Sequence, residues 1–266
     1  MDKKIKIIFI IILIIVIILL SIFIEKENNV IETSSDIVSN KKIEWGVKRN
    51  KEHNQPDVGK DRRKLLEENN GICLGSKDEK TIYLTFDEGY EAGFTSKILE
   101  ILKENEVKAT FFITAHYLNT NEELVKQMIE EGHIVGNHTV NHKSMPSLTE
   151  EEMKSEVMDL HTAIYQKFGY EMKYIRPPKG EFNERTLKKC EQLGYKTVMW
   201  SFAYCDWDEN KQPTIEEGKK KIVDNFHPGE IILLHSNSKT NSEILADIID
   251  EARNQGYEFK SLDEFE

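Results

Sequence analysis

Cysteine is scarce in this 266-residue chain, which has only Cys73, Cys190 and Cys205. Three thiols cannot staple a disulfide scaffold, and one must stay unpaired even in an oxidising compartment. None has a neighbour at metal-ligand spacing, so all three read as structural. Basic residues are also outnumbered, 36 against 47 acidic ones, and the formal net charge is −11. The acids are scattered rather than blocked, which argues against a nucleic-acid partner and indicates only solubility. No internal repeat is present, and no low-complexity tract beyond one isoleucine-rich segment. The length is sufficient for one large domain with a full core.

That isoleucine-rich segment is the one long hydrophobic run. Residues Ile7 to Ile24 are apolar apart from Ser21. As a helix they would span about 27 Å at ~1.5 Å per residue, close to the hydrocarbon thickness of a bilayer. A cleaved signal peptide is the competing reading, but its apolar region is usually only about 7 to 15 residues and ends at small residues. Here the run meets Glu25-Lys26-Glu27-Asn28 with no Ala-x-Ala site. An uncleaved transmembrane anchor is therefore expected. Lys3, Lys4 and Lys6 precede it and Glu25 and Glu27 follow it, a bias that keeps the N-terminus cytoplasmic. The expected localisation is a single-pass membrane protein with its working domain on the extracytoplasmic side. Residues 1–24 form the cytoplasmic tip and anchor, residues 25–60 a polar flexible tether that cannot bury enough surface to fold alone, and residues 61–266 the folded domain. Trp45, within the tether, is a candidate to dock back on that domain.

From Thr81 onward, short β-branched or apolar runs alternate with helical patterns. Strands are expected at 81–86, 110–114, 133–136, 174–176, 197–200, 231–234 and 257–260, and helices at 96–105, 122–131, 150–168, 184–193, 215–225 and 243–255. Thr149 and Glu152 make a capping box at the start of the longest helix. Such alternation implies an α/β fold with a parallel sheet, open or closed into an irregular barrel of about seven strands. Chemistry in that architecture belongs at the carboxyl ends of the strands. Asp87, Glu88, His138, Arg176, Asp206 and His235 all fall there or in the loops that follow.

His138 and His142 are spaced i, i+4, which on a helical turn sets two imidazoles about 5 to 6 Å apart at Cβ, within reach of one cation. Imidazole nitrogen suits zinc and neighbouring transition metals. Upstream, Asp87 and Glu88 end a strand, where successive side chains point to opposite faces unless the chain turns between them. Gly89 is expected to supply that turn. One acid could then ligate a metal or orient a bound water while the other takes the water's proton. Two histidines four apart are weak evidence by themselves.

Taken in order, Thr85-Phe86-Asp87-Glu88-Gly89, His138-Thr139-x-x-His142, Arg176-Pro177-Pro178-Lys179-Gly180, Cys205-Asp206-Trp207 and Leu233-Leu234-His235 resemble the five motifs of the NodB-homology polysaccharide deacetylases, carbohydrate esterase family 4. The resemblance covers about Lys80 to Glu266. It implies an irregular (β/α)7 barrel. Within the family the chain looks most like the delta-lactam-biosynthetic de-N-acetylases, which act on N-acetylmuramic acid in spore-cortex peptidoglycan. The resemblance further implies that Asp87 is the general base, that His138 and His142 bind the metal, and that Arg176 pairs with Asp87 and keeps it ionised. His235 would protonate the leaving amine, and Asp206 would hold that imidazole and raise its pKa. Leu233 and Trp207 would line an acetyl pocket, and Lys179 lies where family members offer a backbone N–H to the developing oxyanion. Glu88 departs from the pattern, since most of the family has a second Asp there as third metal ligand; Glu either ligates at longer reach or is displaced by a water. His53, His116, His133, His161 and His227 lack motif context and read as structural or solvated.

The implied activity is metal-dependent de-N-acetylation of muramic residues in peptidoglycan, with zinc as the expected metal and cobalt or manganese as alternatives. An N-acetylglucosamine deacetylase is the alternative within the same class, and a non-catalytic glycan-binding module is the alternative outside it. The expected partners are peptidoglycan strands and the membrane, and the expected state is a monomer.

Overall fold

The structure, a computed structural model, describes residues 40–50 and 52–265. The expected anchor, Ile7 to Ile24, and the first part of the tether lie outside these residues. Among the described residues no helix is long and apolar enough to cross a membrane.

Eleven short strands alternate with eight helices in the described part of the chain. The strands are β1 (Ile43–Glu44), β2 (Gly71–Ile72), β3 (Thr81–Glu88), β4 (Thr110–Ile113), β5 (Ile134–Asn137), β6 (Tyr174–Ile175), β7 (Glu181–Phe182), β8 (Lys196–Val198), β9 (Phe202–Ala203), β10 (Glu230–His235) and β11 (Glu258–Phe259). The helices are α1 (Lys60–Glu67), α2 (Thr95–Glu104), α3 (Ala115–Thr120), α4 (Glu122–Glu130), α5 (Glu150–Phe168), α6 (Glu184–Gln192), α7 (Ile215–Val223) and α8 (Lys239–Asn254). All seven expected strands are present, and α5 opens with the expected capping box between Thr149 and Glu152. Helix α8 begins four residues earlier than its apolar pattern suggests, because the Ser238 hydroxyl caps it by accepting from Asn241 N.

The main sheet runs β2-β8-β6-β5-β4-β3-β10-β9, with β11 also pairing β3, and every pairing in it is parallel. Strands β8 and β9 are two ends of one extended stretch. Its start pairs with β6 and its end with β10, so the sheet curls back on itself into an irregular barrel of parallel strands. All eight residues of β3 are buried, as expected for a strand covered on both faces.

Alternation along the strands sorts the core into two layers. Ile82, Leu84, Phe86, Phe111, Ile113, Val135, Ile175, Ile232 and Leu234 face outward and pack with helical residues such as Ile98, Leu99, Val125 and Ile248. Tyr83, Phe112, Ile134, Tyr174, Val198 and Ile231 form a separate inner cluster, closed by Leu262 from the C-terminal turn. Gly136 belongs to the inner layer. A Cβ there would meet the Phe112 ring at 2.5 Å, so glycine leaves room for the phenyl group on which the site is built. Each series continues to the carboxyl end of its strand, so this layering determines which polar residues face the barrel mouth.

The tether expectation for residues 25–60 needs correction from Asn40 onward. β1 pairs antiparallel with β7, Trp45 is buried among Phe182, Leu187, Met199, Leu66 and Leu74, and Arg49 donates to the carbonyl of Ala203. Polar composition conceals this because the segment is stabilised by a partner strand and by single anchors such as Trp45, rather than by a core of its own. Trp45 does dock back, donating its indole N–H to the carbonyl of Trp200 at 2.8 Å.

Candidate active site

The inner series ends in chemistry. Parallel register places Asp87 of β3 beside His235 of β10, and the same face receives Arg176, just after β6, and His138, just after β5. Arg176 is fully buried. Its Nη1 donates to Asp87 Oδ1 at 2.7 Å, Nη2 to Thr85 Oγ1 at 2.9 Å and Nε to the carbonyl of Val198 at 3.1 Å, while the guanidinium lies 4.3 Å from the Phe112 ring centroid. Burial would raise the pKa of Asp87, but Arg176 beside it, with His138 and His235, outweighs that and holds the carboxyl below its ordinary value. The acid is thus an ionised carboxylate at the barrel mouth.

His138 donates from Nδ1 to the carbonyl of Arg176 at 2.8 Å. A carbonyl can only accept, so the proton of the neutral ring is on Nδ1, and Nε2 is left with a bare lone pair. That Nε2 lies 3.5 Å from Asp87 Oδ2. The His142 ring stands edge-on to that of His138, 4.8 Å between centroids. Burial lowers the pKa of both, that of His142 to about 4, although His142 keeps one flank open to solvent. Both are therefore neutral, as ligating imidazoles must be.

The i, i+4 geometry does not arise from a helical turn. Residues 138–142 form a loop in which Thr139 and His142 have positive φ, 67° and 54°. Glu156 of α5 pins this loop, accepting from the Asn141 backbone N–H at 2.7 Å and from its side-chain amide at 2.8 Å. Asn137 Oδ1 takes the Thr139 N–H at 2.8 Å. Tertiary hydrogen bonds therefore bring the two rings together.

His235 is held from behind. Its Nδ1–H donates to Asp206 Oδ1 at 2.8 Å and its backbone N–H to Oδ2 at 2.9 Å, and the Asn241 amide also donates to Oδ2 at 2.6 Å. Asn241 Oδ1 in turn accepts the Tyr204 hydroxyl. Burial would lower the pKa of His235, but the adjacent Asp206 charge and its hydrogen bond raise it. The imidazole can therefore carry a proton where a solvated one would have lost it.

A pocket of about 670 Å³ connects these groups, lined by Asp87, His138, His142 and His235 together with Lys179, Trp207, Gly89, Tyr90, Thr114, His116, Val140, Asn141 and Asn237. Leu233 shares the inner face with His235 but lies one layer deeper and does not line this pocket. Glu88 is not brought to the histidines. Strand β3 continues through it, with the bend only at Gly89, so Glu88 falls on the outer face with Ile82, Leu84 and Phe86. There it is 0% exposed. One carboxylate oxygen accepts the Ser236 hydroxyl and the other has no partner. Burial, followed by the neighbouring Glu91 and Asp87, pushes its pKa well above the ordinary value, so it is a neutral acid. His116, expected to be structural or solvated, is exposed and lines the pocket, its ring tilted against that of Tyr90 with 5.1 Å between centroids. The other four histidines outside the motifs bond only within the fold.

Residues 75–198 match the family model described as polysaccharide deacetylase. The chain is 43% identical to the peptidoglycan-N-acetylmuramic acid deacetylase PdaA of Bacillus subtilis, over 86% of its own length and 88% of that protein's. This chain belongs to the polysaccharide deacetylase family. It is thus a hydrolase of carbohydrate esterase family 4, acting on amide bonds. It is also 45% identical, over 87% of its length and 88% of the relative's, to an uncharacterised 30.6 kDa protein of Geobacillus stearothermophilus. The solved structure of Bacillus subtilis PdaA, a family 4 carbohydrate esterase, aligns with a TM-score of 0.83 at 42% identity, covering 86% of this chain and 98% of that one.

The family implies a metal, and the donor set fits one in part. A bare imidazole nitrogen 3.5 Å from a carboxylate oxygen brings together two lone pairs that a cation would reconcile. Yet among the described residues no three His, Cys, Asp or Glu side chains are grouped to hold a metal. The arrangement suits a cation carried by two imidazoles with open positions, rather than a closed three-residue cage that includes Glu88.

Proposed function

We propose that the chain removes the N-acetyl group from N-acetylmuramic acid residues of peptidoglycan. The observation that carries this reading is the pairing of a base with an acid across one pocket. Asp87 is kept ionised by Arg176, and His235 has its pKa raised by Asp206. An amide hydrolase needs both. Asp87 takes the proton of the attacking water, and His235 gives one to the nitrogen as the C–N bond breaks. The backbone N–H of Lys179 is the donor assigned to the developing oxyanion. His138 and His142 would hold a divalent cation, zinc first and cobalt or manganese as alternatives, which would lower the pKa of a water and polarise the acetamide carbonyl. A glycan-binding module would need neither base nor acid.

Similarity to PdaA over most of both chains supports the muramic substrate. Delta-lactam formation in spore cortex, and a membrane-anchored monomer with residues 1–24 as its anchor and its catalytic domain outside, complete the proposal. Incubating the full chain with metal and stem-free glycan strands tests it. Acetate should appear with a matching loss of N-acetyl groups from muramic residues, whereas loss from glucosamine alone would replace this reading with the glucosamine one.

A further inference from the structure

We propose that Glu156 is the positioning residue for His142, the imidazole of the pair whose ring has no hydrogen-bond partner among the described residues. This deepens the reading of function just given and rests on it, since it takes His138 and His142 as the donors to the cation. The two rings are supported unequally. His138 is oriented directly, its Nδ1–H donating to the carbonyl of Arg176 at 2.8 Å. A ligating histidine usually has such a partner on its second nitrogen, which fixes both tautomer and tilt. The His142 ring stands edge-on to His138, and only its backbone N–H is hydrogen-bonded among the described residues. Its place is therefore set by its main chain.

That main chain is set by α5. Every backbone N–H from His138 to His142 has an acceptor, and two of the five go to Glu156. His138 N–H donates to the carbonyl of Ile113 at 2.9 Å, Thr139 N–H to Asn137 Oδ1 at 2.8 Å and His142 N–H to Thr139 Oγ1 at 3.1 Å. Val140 N–H goes to the carbonyl of Glu156 at 3.0 Å and Asn141 N–H to its Oε2 at 2.7 Å, while Oε1 takes the Asn141 side-chain amide at 2.8 Å. Lys143 Nζ stands 3.4 Å from Oε1.

These bonds matter because the loop is strained. Thr139 and His142 lie in the left-handed region, φ 67° and 54°, which a residue with a Cβ disfavours and which persists only where the surroundings impose it. Asn137 imposes it at the start of the loop, and Glu156 does so at the end, next to His142. Packing alone does not call for an acid at this position. Glu156 is 4% exposed on a helix face shared with Met153, Val157, Leu160 and Ile164, where a carboxylate is costly unless donors meet it. All of its donors come from residues 140–143.

The test is zinc titration calorimetry on the full chain, with a thermal melt of each variant. Glu156→Leu removes both side-chain acceptors at similar size, and Glu156→Asp keeps the charge but withdraws it by one methylene. Each should weaken zinc binding by about 10- to 100-fold, the usual loss when the support behind a metal ligand is removed. Glu156→Asp gives the same reading should leucine prevent folding. Glu156→Gln should bind zinc nearly as tightly as the unmodified chain, because the Asn141 amide can turn over and meet the glutamine amide with its oxygen. Leu160→Ala, one turn on, leaves a cavity in the helix layer and removes no bond from the loop, so it should lower Tm without changing zinc affinity. Glu156→Leu and Glu156→Asp binding zinc like the unmodified chain, Leu160→Ala losing as much affinity as they do, or Glu156→Gln losing as much as Glu156→Leu, each overturns this inference alone. An unmodified chain that binds no zinc, cobalt or manganese and releases no acetate with any of them overturns the proposed function with it.

Discussion

Replacing Asp206 by Asn removes one charge from behind His235 with little change of shape. Asp206 is fully buried and accepts three hydrogen bonds, two from His235 and one from Asn241, and its Oδ1 lies 2.8 Å from the imidazole Nδ1. An opposite charge so close moves a pKa by about 1 to 3 units, and each unit is worth about 1.36 kcal/mol. Burial lowers the pKa of His235 and is opposed chiefly by Asp206, so without that charge only the weaker pull of Asp87 stands against burial and Arg176. A fall in the pKa of His235 is therefore expected. The sign follows from the role. His235 acts as an acid only when protonated, so its contribution is present below its pKa and lost as pH rises through it. In Asp206→Asn the alkaline limb of kcat/KM should therefore move towards acid, and turnover at neutral pH should fall by about 10²-fold or more. Acetate release measured from pH 5 to 10 reads this directly. A limb at the unmodified position, with only a lower plateau, would refute the electrostatic argument and leave Asp206 a merely orienting role.

Four further outcomes follow from the same geometry. Asp87→Asn should lose 10²-fold or more in acetate release, and it should lower thermal stability because Arg176 becomes a buried charge without its counter-ion, a cost of about 3 to 5 kcal/mol by denaturant titration. Glu88→Gln should leave zinc affinity by calorimetry unchanged. The stability a protonated Glu88 gives is present below the unfolded carboxyl pKa and lost as pH rises through its raised folded pKa, so the variant should gain stability over the unmodified chain as pH rises above 4.5; a lost metal site would instead place Glu88 among the ligands. His142→Ala should abolish calorimetric zinc binding, and chelation of the unmodified chain should stop acetate release until metal is restored. Trp45→Ala should cost about 3 to 5 kcal/mol, a fall in Tm of about 10 °C in a chain of this size, and it should reduce kcat by loosening the Lys179 loop.

Much of the site was legible because its residues sit at strand ends, where a parallel sheet gathers side chains from distant sequence. Asp87, His138, Arg176, Asp206 and His235 converge as their motif order implies. Residues that position these side chains carried no such signal. Glu156 lies in the middle of a helix and Asn241 in the first turn of another, and only tertiary contacts turn them towards the His138 loop and Asp206. Tyr90 and Trp207 are 69% and 56% exposed on the pocket wall. Trp207 had motif context, whereas the only sequence signal for Tyr90 was an aromatic residue directly after the end of a strand.

Composition and periodicity by themselves determined a single α/β domain with parallel strands and an apolar N-terminal run, because hydrophobic patterning and turn chemistry are local, while the roles of ligands, base and acid were implied by the resemblance of the ordered motifs to the polysaccharide deacetylases. Three matters were decided only in three dimensions. Alternation along an unbroken β3 sent Asp87 to the barrel mouth and Glu88 to the helix layer, because the turn comes one residue too late to bring both to one face. Side-chain and backbone hydrogen bonds from Glu156 and Asn137, rather than helical spacing, set His138 beside His142. The strap from Asn40 onward joined the domain because β7 and Trp200 gave it partners that its own composition could not reveal.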